Sequence, residues 1–584
     1  MVTAAPTLME SLKHSSTAKT EFMCASTTEG TTRVVSSDGD ISPNLVSWMR
    51  QRTHKYSQKG LIPVRSDDIA DHYELDERRI GSGSFGHVFS ARQKQTGLQV
   101  AIKKVLIFDP EQKERLDTEA CIMKDLDHPN ICKLMATYEK GRFMFFVMEY
   151  CKGKDVLERL MSLDEQKFGE HQAAKIVHQT ALALHYAQKR GIAHRDVKPE
   201  NLVFVSDEES DSFVKVVDWG LSSYCGERKM RSAVGSYVYC APEILAKKLS
   251  RNSKSYTASC DLWSLGILIY VLLCGHPPFR GDATQLLKMA KEEKLIPQDD
   301  IWKALSREAK HLIQGLLRVK PEKRLKFEEV LKHPWFQLQH TVAVPVSVSQ
   351  NILRNMRNFC HLSHFFGFCV LAAARQLDAK SLDEVHQVFR QLDSDGDGVL
   401  TIQEVRQGFA ALGSGNLETV EIEELFAIID MDGSGTIDYT EFVAAAVGER
   451  LFQEESALMA AFEAFNHEPD GVITLQEIEH VLRSCDAQKV WSDDAVHSMA
   501  VEAQHHFTSE STIDFDHFRE SIVAHVASRR GRCDSHPREP AELLEMVPRR
   551  AAPGAARNAR GYVPKKAPWW ACCLAPSAAE PLSP

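Results

Sequence analysis

Hydrophobic and polar positions are distributed differently in successive parts of the chain. From Tyr73 onward the apolar residues come in short runs, and residues 146–151 form one such run, which is typical of a buried strand. Farther along, up to Phe336, the apolar residues follow a helical spacing. The pattern therefore predicts an α+β region in which strands come first and helices follow.

A separate helical pattern occupies residues 351–377. Arg354 and Arg357 give this segment a basic start, so the sequence predicts a basic amphipathic helix. Its most apolar part, residues 365–374, is too short to cross a bilayer and predicts a buried helix. The apolar positions at near-helical spacing are Ile352, Met356, Phe359, Phe366 and Val370.

The two ends of the chain lack these patterns. Residues 1–72 are rich in Ser, Thr and Ala and predict a flexible extension. Residues 529–584 accumulate arginine among Ala and Pro and predict a basic flexible tail. Two interpretations of Cys572 and Cys573 stay open, namely S-palmitoylation that attaches the tail to a membrane and incidental cysteines in a disordered tail.

Composition narrows the class of protein. The chain has 584 residues, enough for three or four domains, and its net charge of -10 argues against a nucleic-acid partner. Its 14 cysteines include no C-x-x-C pair, so we expect reduced thiols. We find no secretory signal and no apolar run of about 18 residues, and we expect a cytoplasmic protein whose membrane association would depend on the tail.

Residues 194–201, His-Arg-Asp-Val-Lys-Pro-Glu-Asn, carry the strongest chemical motif. Phosphoryl transfer needs a group that accepts the proton of the attacking hydroxyl, and Asp196 can supply it. Lys198 can neutralise charge on the transferred phosphoryl group, and Asn201 can hold a magnesium ion. The motif therefore predicts a phosphotransferase active site.

Partner motifs lie on both sides of this loop. A glycine-rich segment precedes the strand that ends in Lys103, and glycines let backbone amides approach the phosphates of ATP. Glu119 is the candidate carboxylate for orienting Lys103, and Asp218 in Asp-Trp-Gly is the candidate for a second magnesium ligand. The predicted contacts of the glycine-rich segment with ATP are Ile80, Gly81, Gly83, Gly86 and Val88.

Two calcium loops follow in the second half of the chain. Each is twelve residues long, has a glycine at position 6 and ends in a glutamate. Calcium is a hard cation that prefers oxygen ligands, and the final glutamate can supply two of them. The first set of ligands is Asp393, Asp395, Asp397, Val399 and Glu404. The second set is Asp430, Asp432, Ser434, Thr436 and Glu441.

Two further loops are degenerate. The third keeps Asn466, Asp470 and Glu477, and calcium binding there is an open question at even odds. The fourth has histidine at both ends and is predicted to bind no calcium. Ile513 falls at loop position 8, where Ile473 falls in the third loop, so the two loops are expected to pair through a short β-contact.

Residues 73–336 resemble a protein kinase, and the kinase and calcium loops together resemble the calcium-dependent protein kinase family. The resemblance implies a bilobal α+β kinase followed by an all-α calmodulin-like EF-hand domain. It implies a serine/threonine kinase that uses Mg-ATP and is activated by Ca2+. In that family the junction helix also inhibits the kinase, although this chain lacks the usual lysine-rich centre there.

The resemblance also implies roles for single residues. Glu149, Cys151 and Asp155 stand where the family binds ATP, and Ser232 has the spacing of an activation-loop phosphosite. Trp219 replaces the usual phenylalanine beside Asp218. By the same resemblance, Asp155 and Glu200 stand at positions that bind a basic substrate residue on the N-terminal side of the phosphorylated Ser or Thr.

The sequence thus predicts a calcium-activated kinase with protein substrates and its own junction helix as an intramolecular partner. One alternative is a catalytically weak scaffold that senses calcium, and another is a calcium buffer with a passenger domain. The predicted divisions are an extension (1–72), a kinase domain (73–336), a junction (337–380), two EF-hand pairs (381–450 and 451–528) and a tail (529–584).

Overall fold

The structure of the protein is a computed structural model. The structure describes residues 62, 64–83, 86–208, 212–224, 237–249, 258–279, 283–292, 296–297, 299–338, 344–360, 362, 364–377, 382–412, 419–431, 433–448, 455–466, 470–482, 501, 503 and 512–530. Among these residues, no helix combines the length and the apolar character that a membrane crossing requires.

The N-terminal lobe is a twisted sheet with one long helix beside it. Within the described residues the strands lie in the order β1-β5-β6-β4-β3-β2, and all pairs are antiparallel except β1 with β5. Its elements are β1 (Val64–Arg65), α1 (Ile69–His72), β2 (Tyr73–Gly83), β3 (Gly86–Gln93), β4 (Gln99–Leu106), α2 (Pro110–Asp125), β5 (Leu134–Lys140) and β6 (Phe143–Glu149).

Residues 1–72 were predicted to be a flexible extension, but β1 and α1 lie within this range. Val64 pairs with Thr137 of β5 in the sheet. Arg65 is buried, and its guanidinium donates to the backbone oxygens of Glu463 and Asn466 at 3.0 and 3.4 Å. Composition could not reveal this, because the partners of Arg65 lie about 400 residues away in sequence.

The C-terminal lobe is helical, and its core surrounds a helix that is apolar on all sides. Helix α6 (Ser259–Cys274) is buried from Cys260 to Cys274, as expected for a helix enclosed by others. The elements are α3 (Val156–Ser162), α4 (Glu170–Lys189), β7 (Ile192–Ala193), β8 (Leu202–Phe204), β9 (Val214–Val216), β10 (Ser223–Tyr224), α5 (Pro242–Leu249), α6 (Ser259–Cys274), α7 (Ala283–Lys291), α8 (Asp300–Ala304), α9 (Arg307–Leu316) and α10 (Phe327–Leu331).

The second half is helical and has a hydrophobic core of its own. Short β-contacts join the loops in pairs, Leu400 with Ile437 and Ile473 with Ile513, which confirms the predicted pairing of the third and fourth loops. The elements are α11 (Val346–Phe359), α12 (His364–Arg375), α13 (Asp383–Leu392), α14 (Ile402–Ala411), α15 (Thr419–Ile429), α16 (Tyr439–Val447), α17 (Glu455–Phe465), β11 (Val472–Thr474), α18 (Leu475–Leu482), β12 (Thr512–Asp514) and α19 (Phe515–Arg530).

The junction segment forms two helices, α11 and α12, that pack into this second core. The five apolar residues predicted for the buried face are all buried there, in the same cluster as Phe442 and Phe465. Helix α11 packs on α16, and α12 packs on α16 and α17. In this structure the junction is therefore part of the calcium-loop region, since its apolar face is covered by the EF-hand helices.

Candidate active site and calcium sites

The glycine-rich segment forms the hairpin between β2 and β3. Gly81 lies opposite Val88, and Gly83 lies opposite Gly86. A Cβ at Gly86 would lie 2.4 Å from the backbone oxygen of Lys104, so no side chain fits there. Ile80 is 45% exposed at the same hairpin. The hairpin thus brings together the residues predicted to cover the phosphates of ATP.

Lys103 connects the N-terminal lobe to the segment after β9. Its Nζ donates to Glu119 Oε1 at 2.7 Å and to Asp218 Oδ1 at 2.8 Å. Burial disfavours the charge of Lys103, but the two carboxylates outweigh the burial and raise its pKa above the ordinary value. Burial also opposes the charge of Asp218, yet Lys103 holds the pKa of that carboxyl below its usual value. The lysine therefore stays cationic and Asp218 anionic.

The loop that carries Asp196 is fixed by a buried carboxylate. Asp261 accepts the backbone N–H groups of His194 and Arg195, both at 2.8 Å. Arg195 and Asp218 have positive φ values of 71° and 61°, which non-glycine residues rarely adopt. Such backbone persists only where neighbouring contacts hold it, and the two bonds from Asp261 provide that hold at Arg195.

Three side chains of this loop converge. Lys198 Nζ donates to Asp196 Oδ2 at 2.7 Å, and Asn201 Nδ2 donates to the same oxygen at 3.0 Å. Asn201 also donates to the backbone oxygen of Asp196 at 2.7 Å. A carboxylate oxygen held by a cation and an amide fits a base with a metal ligand beside it.

The connection between the lobes holds the other predicted ATP-binding residues. The Glu149 carboxylate pairs with buried Lys215 at 3.0 Å and accepts the backbone N–H of Lys133 at 3.3 Å. The side chain of Glu149 is thus occupied by protein, and its backbone N–H donates to the Lys133 oxygen at 3.0 Å. Cys151 is partly buried, and Asp155 accepts the backbone N–H of Glu158 at 2.7 Å as the cap of α3.

Among the described residues, Asp155 and Glu200 near the cleft form no ion pair, although Lys198 acts to lower the pKa of Glu200. Burial, with smaller contributions from the carboxylates of Glu158 and Glu200, raises the pKa of Asp155 to about 6. Burial also raises the pKa of Glu200. Within the described part of the chain, no group hydrogen-bonds Glu200 Oε2, although this atom is buried. A buried acid oxygen without a hydrogen-bond donor is costly, so Glu200 Oε2 beside Asp155 favours binding of an external cation.

Trp219 is fully buried beside the catalytic loop. Its ring lies edge-on to the imidazole of His194, with centroids 4.6 Å apart. No described group accepts a hydrogen bond from its indole nitrogen. The larger ring is therefore accommodated by packing alone.

The first calcium loop already has its ligands close together. Asp393, Asp395 and Asp397 each offer an oxygen within 4.8 Å of the others. Burial raises the pKa of Asp393 to about 7, and the neighbouring carboxylates add to the shift. Glu404 closes the loop by accepting the backbone N–H groups of Ser394 and Thr401 at 3.0 and 2.9 Å. Mutually repelling acids in a closed loop fit a divalent cation.

The second loop repeats this geometry. Asp430 accepts the backbone N–H groups of Ser434 and Gly435, both at 2.9 Å. Glu441 accepts those of Met431 and Asp438 at 3.0 and 2.9 Å. The hydroxyl of Ser434 donates to the backbone oxygen of Thr436, while Asp432 lies outside the described residues.

The third loop is only partly described. Asn466 is buried, and no described group hydrogen-bonds its Oδ1 atom. Asp470 accepts the backbone N–H of Val472 at 3.1 Å, and Glu477 accepts that of Thr474 at 2.8 Å. The position of the unsatisfied Asn466 oxygen at the start of the loop fits a cation ligand.

The second calcium loop contacts the kinase region through polar groups that sequence reasoning missed. The backbone N–H and the hydroxyl of Thr440 both donate to the Asp127 carboxylate at 2.8 Å. Arg190 pairs with Asp438 at 3.1 Å. No sequence motif could have found these contacts, because Asp127 and Thr440 are 313 positions apart.

The first calcium loop packs against helix α4 and the turn after α2. A Cβ at Gly398 would lie 2.5 Å from a ring carbon of Tyr186 and 2.8 Å from one of His128. Gly398 also has a φ of +80°, as position 6 of a calcium loop requires. One glycine therefore serves the loop conformation and the close contact at once.

Besides Asp432, three other predicted site residues lie outside the described residues, namely the phosphosite Ser232 and the tail cysteines Cys572 and Cys573. Their proposed modifications stay predictions.

Comparison with known proteins agrees with both halves of the chain. The protein kinase domain family matches residues 74–336, and the EF-hand domain pair family matches residues 382–447. Calcium-dependent protein kinase 5 of Plasmodium falciparum (isolate 3D7) is 34% identical over 462 residues, which cover 78% of this chain and 79% of that protein. Calcium-dependent protein kinase 34 of Arabidopsis thaliana is 32% identical over 423 residues, covering 71% and 78%.

Trp219→Phe should retain phosphotransferase activity. Phenylalanine keeps an aromatic contact with His194 and removes an indole N–H that no described group accepts. We expect activity within about tenfold of the unmodified protein, which corresponds to about 1.4 kcal/mol. The measurement is the turnover rate at saturating Mg-ATP, with Asp218→Asn as the inactive control. A larger loss would reveal a specific role of the indole ring.

Proposed function

This chain belongs to the calcium-dependent protein kinase family, and from that premise we propose how its serine/threonine kinase activity selects substrates and responds to calcium. As a member of this family it uses Mg-ATP and binds Ca2+. The observation that carries the proposal is the assembled Lys103–Glu119–Asp218 triad in a structure whose calcium loops lie against the kinase region.

The catalytic roles follow from the geometry of the loop. Asp196 accepts the proton of the substrate hydroxyl, because its oxygen is held by Lys198 and Asn201. Lys103 binds the phosphates of ATP, and Glu119 orients it. Asn201 and Asp218 would hold magnesium, which neutralises charge on the phosphates when it is bound.

Asp155 and Glu200 would select substrates with a basic residue on the N-terminal side of the target. Glu200 lies close enough to disfavour ionisation of the Asp155 carboxyl. An arginine side chain would give them charge-assisted hydrogen bonds and would satisfy the buried oxygen of Glu200. Arginine suits this role better than lysine, since its planar guanidinium offers several donors at fixed angles.

A peptide with arginine three residues before the target serine should be preferred over the same peptide with alanine there. Bonds to charged groups contribute about 1.5–3 kcal/mol, so we expect a preference of about tenfold or more in kcat/KM. The Asp155 pKa is raised to about 6, so its anionic form exists above that pH and is lost below it. The preference should therefore shrink between about pH 7.5 and about pH 5.5.

The Glu200→Gln variant provides the matched control, because it keeps the size of the side chain and removes its charge. It should lose part of the preference for arginine and keep most activity towards the alanine peptide. Equal activity on both peptides at neutral pH would rule out this role for the two acids.

Calcium would act by holding the junction helices in the EF-hand core. Their apolar faces are covered by α16 and α17 in this structure, which leaves them unable to occupy the kinase cleft at the same time. Without calcium, repulsion among Asp393, Asp395 and Asp397 would loosen the first hand and free the junction. The freed helix would then inhibit the kinase.

Two good hands supply enough free energy for such a switch. Changing a population from about 1:99 to about 99:1 takes roughly 5.5 kcal/mol of differential binding. Two sites that each bind about 100-fold more tightly in the active form would contribute about 2.7 kcal/mol each. The third hand, with Asn466 and Glu477, would steepen the response and is not required for it.

Glu404→Gln combined with Glu441→Gln should abolish activation by calcium. Each glutamate closes one loop, and glutamine cannot supply a bidentate carboxylate. The assay is kinase activity against free calcium, with an expected midpoint for the unmodified chain of roughly 0.1–10 µM. Glu477→Gln should move this midpoint only modestly.

A chain ending after Phe336 provides the control, since it lacks the junction and the calcium loops. Its activity should not depend on calcium. The switch is falsified if the full chain is equally active in chelator and in calcium.

Asp127→Ala and Thr440→Val should both raise the calcium midpoint. Each change removes part of a buried bond between the second hand and the kinase region, at a cost of about 1–3 kcal/mol. Because the residues contact each other, the double variant should shift the midpoint by less than the sum of the single shifts. Additive shifts would mean that the residues act separately. The control Asp300→Asn, on the exposed surface, should leave the calcium midpoint unchanged.

A further inference from the structure

Two cysteines lie together where the N-terminal lobe joins the connection between the lobes. Cys132 is two residues before β5, and Cys151 is two residues after β6. The Cys132 thiol is buried and points at the backbone oxygen of Glu149, 3.6 Å away. The backbone N–H of Glu149 donates to the Lys133 oxygen at 3.0 Å, so the segments that carry the two cysteines lie side by side. The neighbouring Cys151 side chain, together with burial, raises the pKa of Cys132 well above its usual value.

Charged groups surround this pair of thiols. Lys215 pairs with Glu149 at 3.0 Å, and both cysteines lie within its electrostatic range. Cys151 is partly exposed, whereas Cys132 is 5% exposed. A small oxidant can therefore reach Cys151 first, with Cys132 positioned behind it as the second thiol.

The same position connects the parts of the active site that must move together. The Cys132 backbone N–H donates to Val216 in β9 at 3.0 Å, and Asp218 follows two residues later. Cys151 lies in the segment that leads from β6 to α3, and thus from one lobe to the other. A covalent bond between the sulfurs would tie this segment to the strand that supports Asp218.

We propose that Cys132 and Cys151 form a reversible disulfide with hydrogen peroxide, and that this disulfide lowers kinase activity. The Cys151 sulfur attacks the peroxide, the O–O bond breaks, an S–O bond forms, and one water leaves. The Cys132 sulfur then attacks the Cys151 sulfur, the S–S bond forms, the S–O bond breaks, and a second water leaves. Two thiols are oxidised and one peroxide is reduced to two waters. A dithiol reductant reverses the change by exchange.

The activity falls because the disulfide restricts the relative motion of the lobes. Kinases close around the nucleotide and open to release product, and the connection between the lobes must flex in each cycle. Disulfide formation is measured independently of the kinase activity, so the two can fail separately.

The direct test is mass spectrometry of the full chain after peroxide, alkylation and tryptic digestion without reductant. Tryptic peptides 125–133 and 143–152 each contain one cysteine, so the disulfide appears as a single linked pair of these peptides. Dithiothreitol should separate the pair. Absence of the linked pair at peroxide concentrations that lower activity would overturn the proposal, whatever the state of the kinase reaction.

The second test compares activity before oxidation, after it, and after reduction. We expect kcat/KM for ATP to fall by about tenfold or more, equivalent to about 1.4 kcal/mol, and to recover with dithiothreitol. Cys132→Val keeps the side-chain size and should stay active in peroxide. The control Cys121→Ser removes an exposed thiol of α2 and should stay as sensitive as the unmodified chain. If Cys132→Val loses activity in parallel with the unmodified chain, other thiols are responsible and the proposal fails.

Discussion

The buried ion triad of Lys103, Glu119 and Asp218 is the interaction on which the active site depends. Charges out of water are stable only when they are paired in good geometry, and here one lysine pairs with two carboxylates within 2.8 Å. The three residues come from β4, from α2 and from the segment after β9. Their meeting therefore requires the helix and both lobes to be in place together.

The helix that carries Glu119 also leads to the calcium loops. Helix α2 ends at Asp125, and Asp127 two residues later accepts both donors of Thr440 in the second hand. A carboxylate at the start of α16 is favoured by the positive end of the helix dipole. The contact with the calcium loops and the position of the catalytic ion pair thus depend on one short segment.

The connection between the lobes is more highly charged than its apolar sequence indicates. Lys215 and Glu149 form a buried pair, and burial lowers the pKa of the adjacent Lys133 to about 8. The ammonium of Lys133 also lies over the ring of Tyr439 in the second hand, 5.5 Å from its centroid. Nucleotide site, thiol pair and calcium sensor are therefore in contact through a few buried side chains.

The sequence by itself determined the two-part architecture and the identity of most candidate site residues. This was possible because phosphate cradles, catalytic loops and calcium loops are local: Asp196, Lys198 and Asn201, or Asp393 and Glu404, lie within one short segment whose spacing fixes the chemistry. The apolar face of the junction was likewise readable, since helical periodicity is local.

Only the tertiary structure decided which of these segments touch. The pairing of Asp127 with Thr440, of Glu149 with Lys215 and of Arg65 with the third hand joins residues far apart in sequence. Local propensity carries no information about such partners, because a buried charge or thiol is defined by what surrounds it after folding. For the same reason, composition placed Arg65 in a flexible extension, whereas burial and two carbonyl acceptors hold it in the fold.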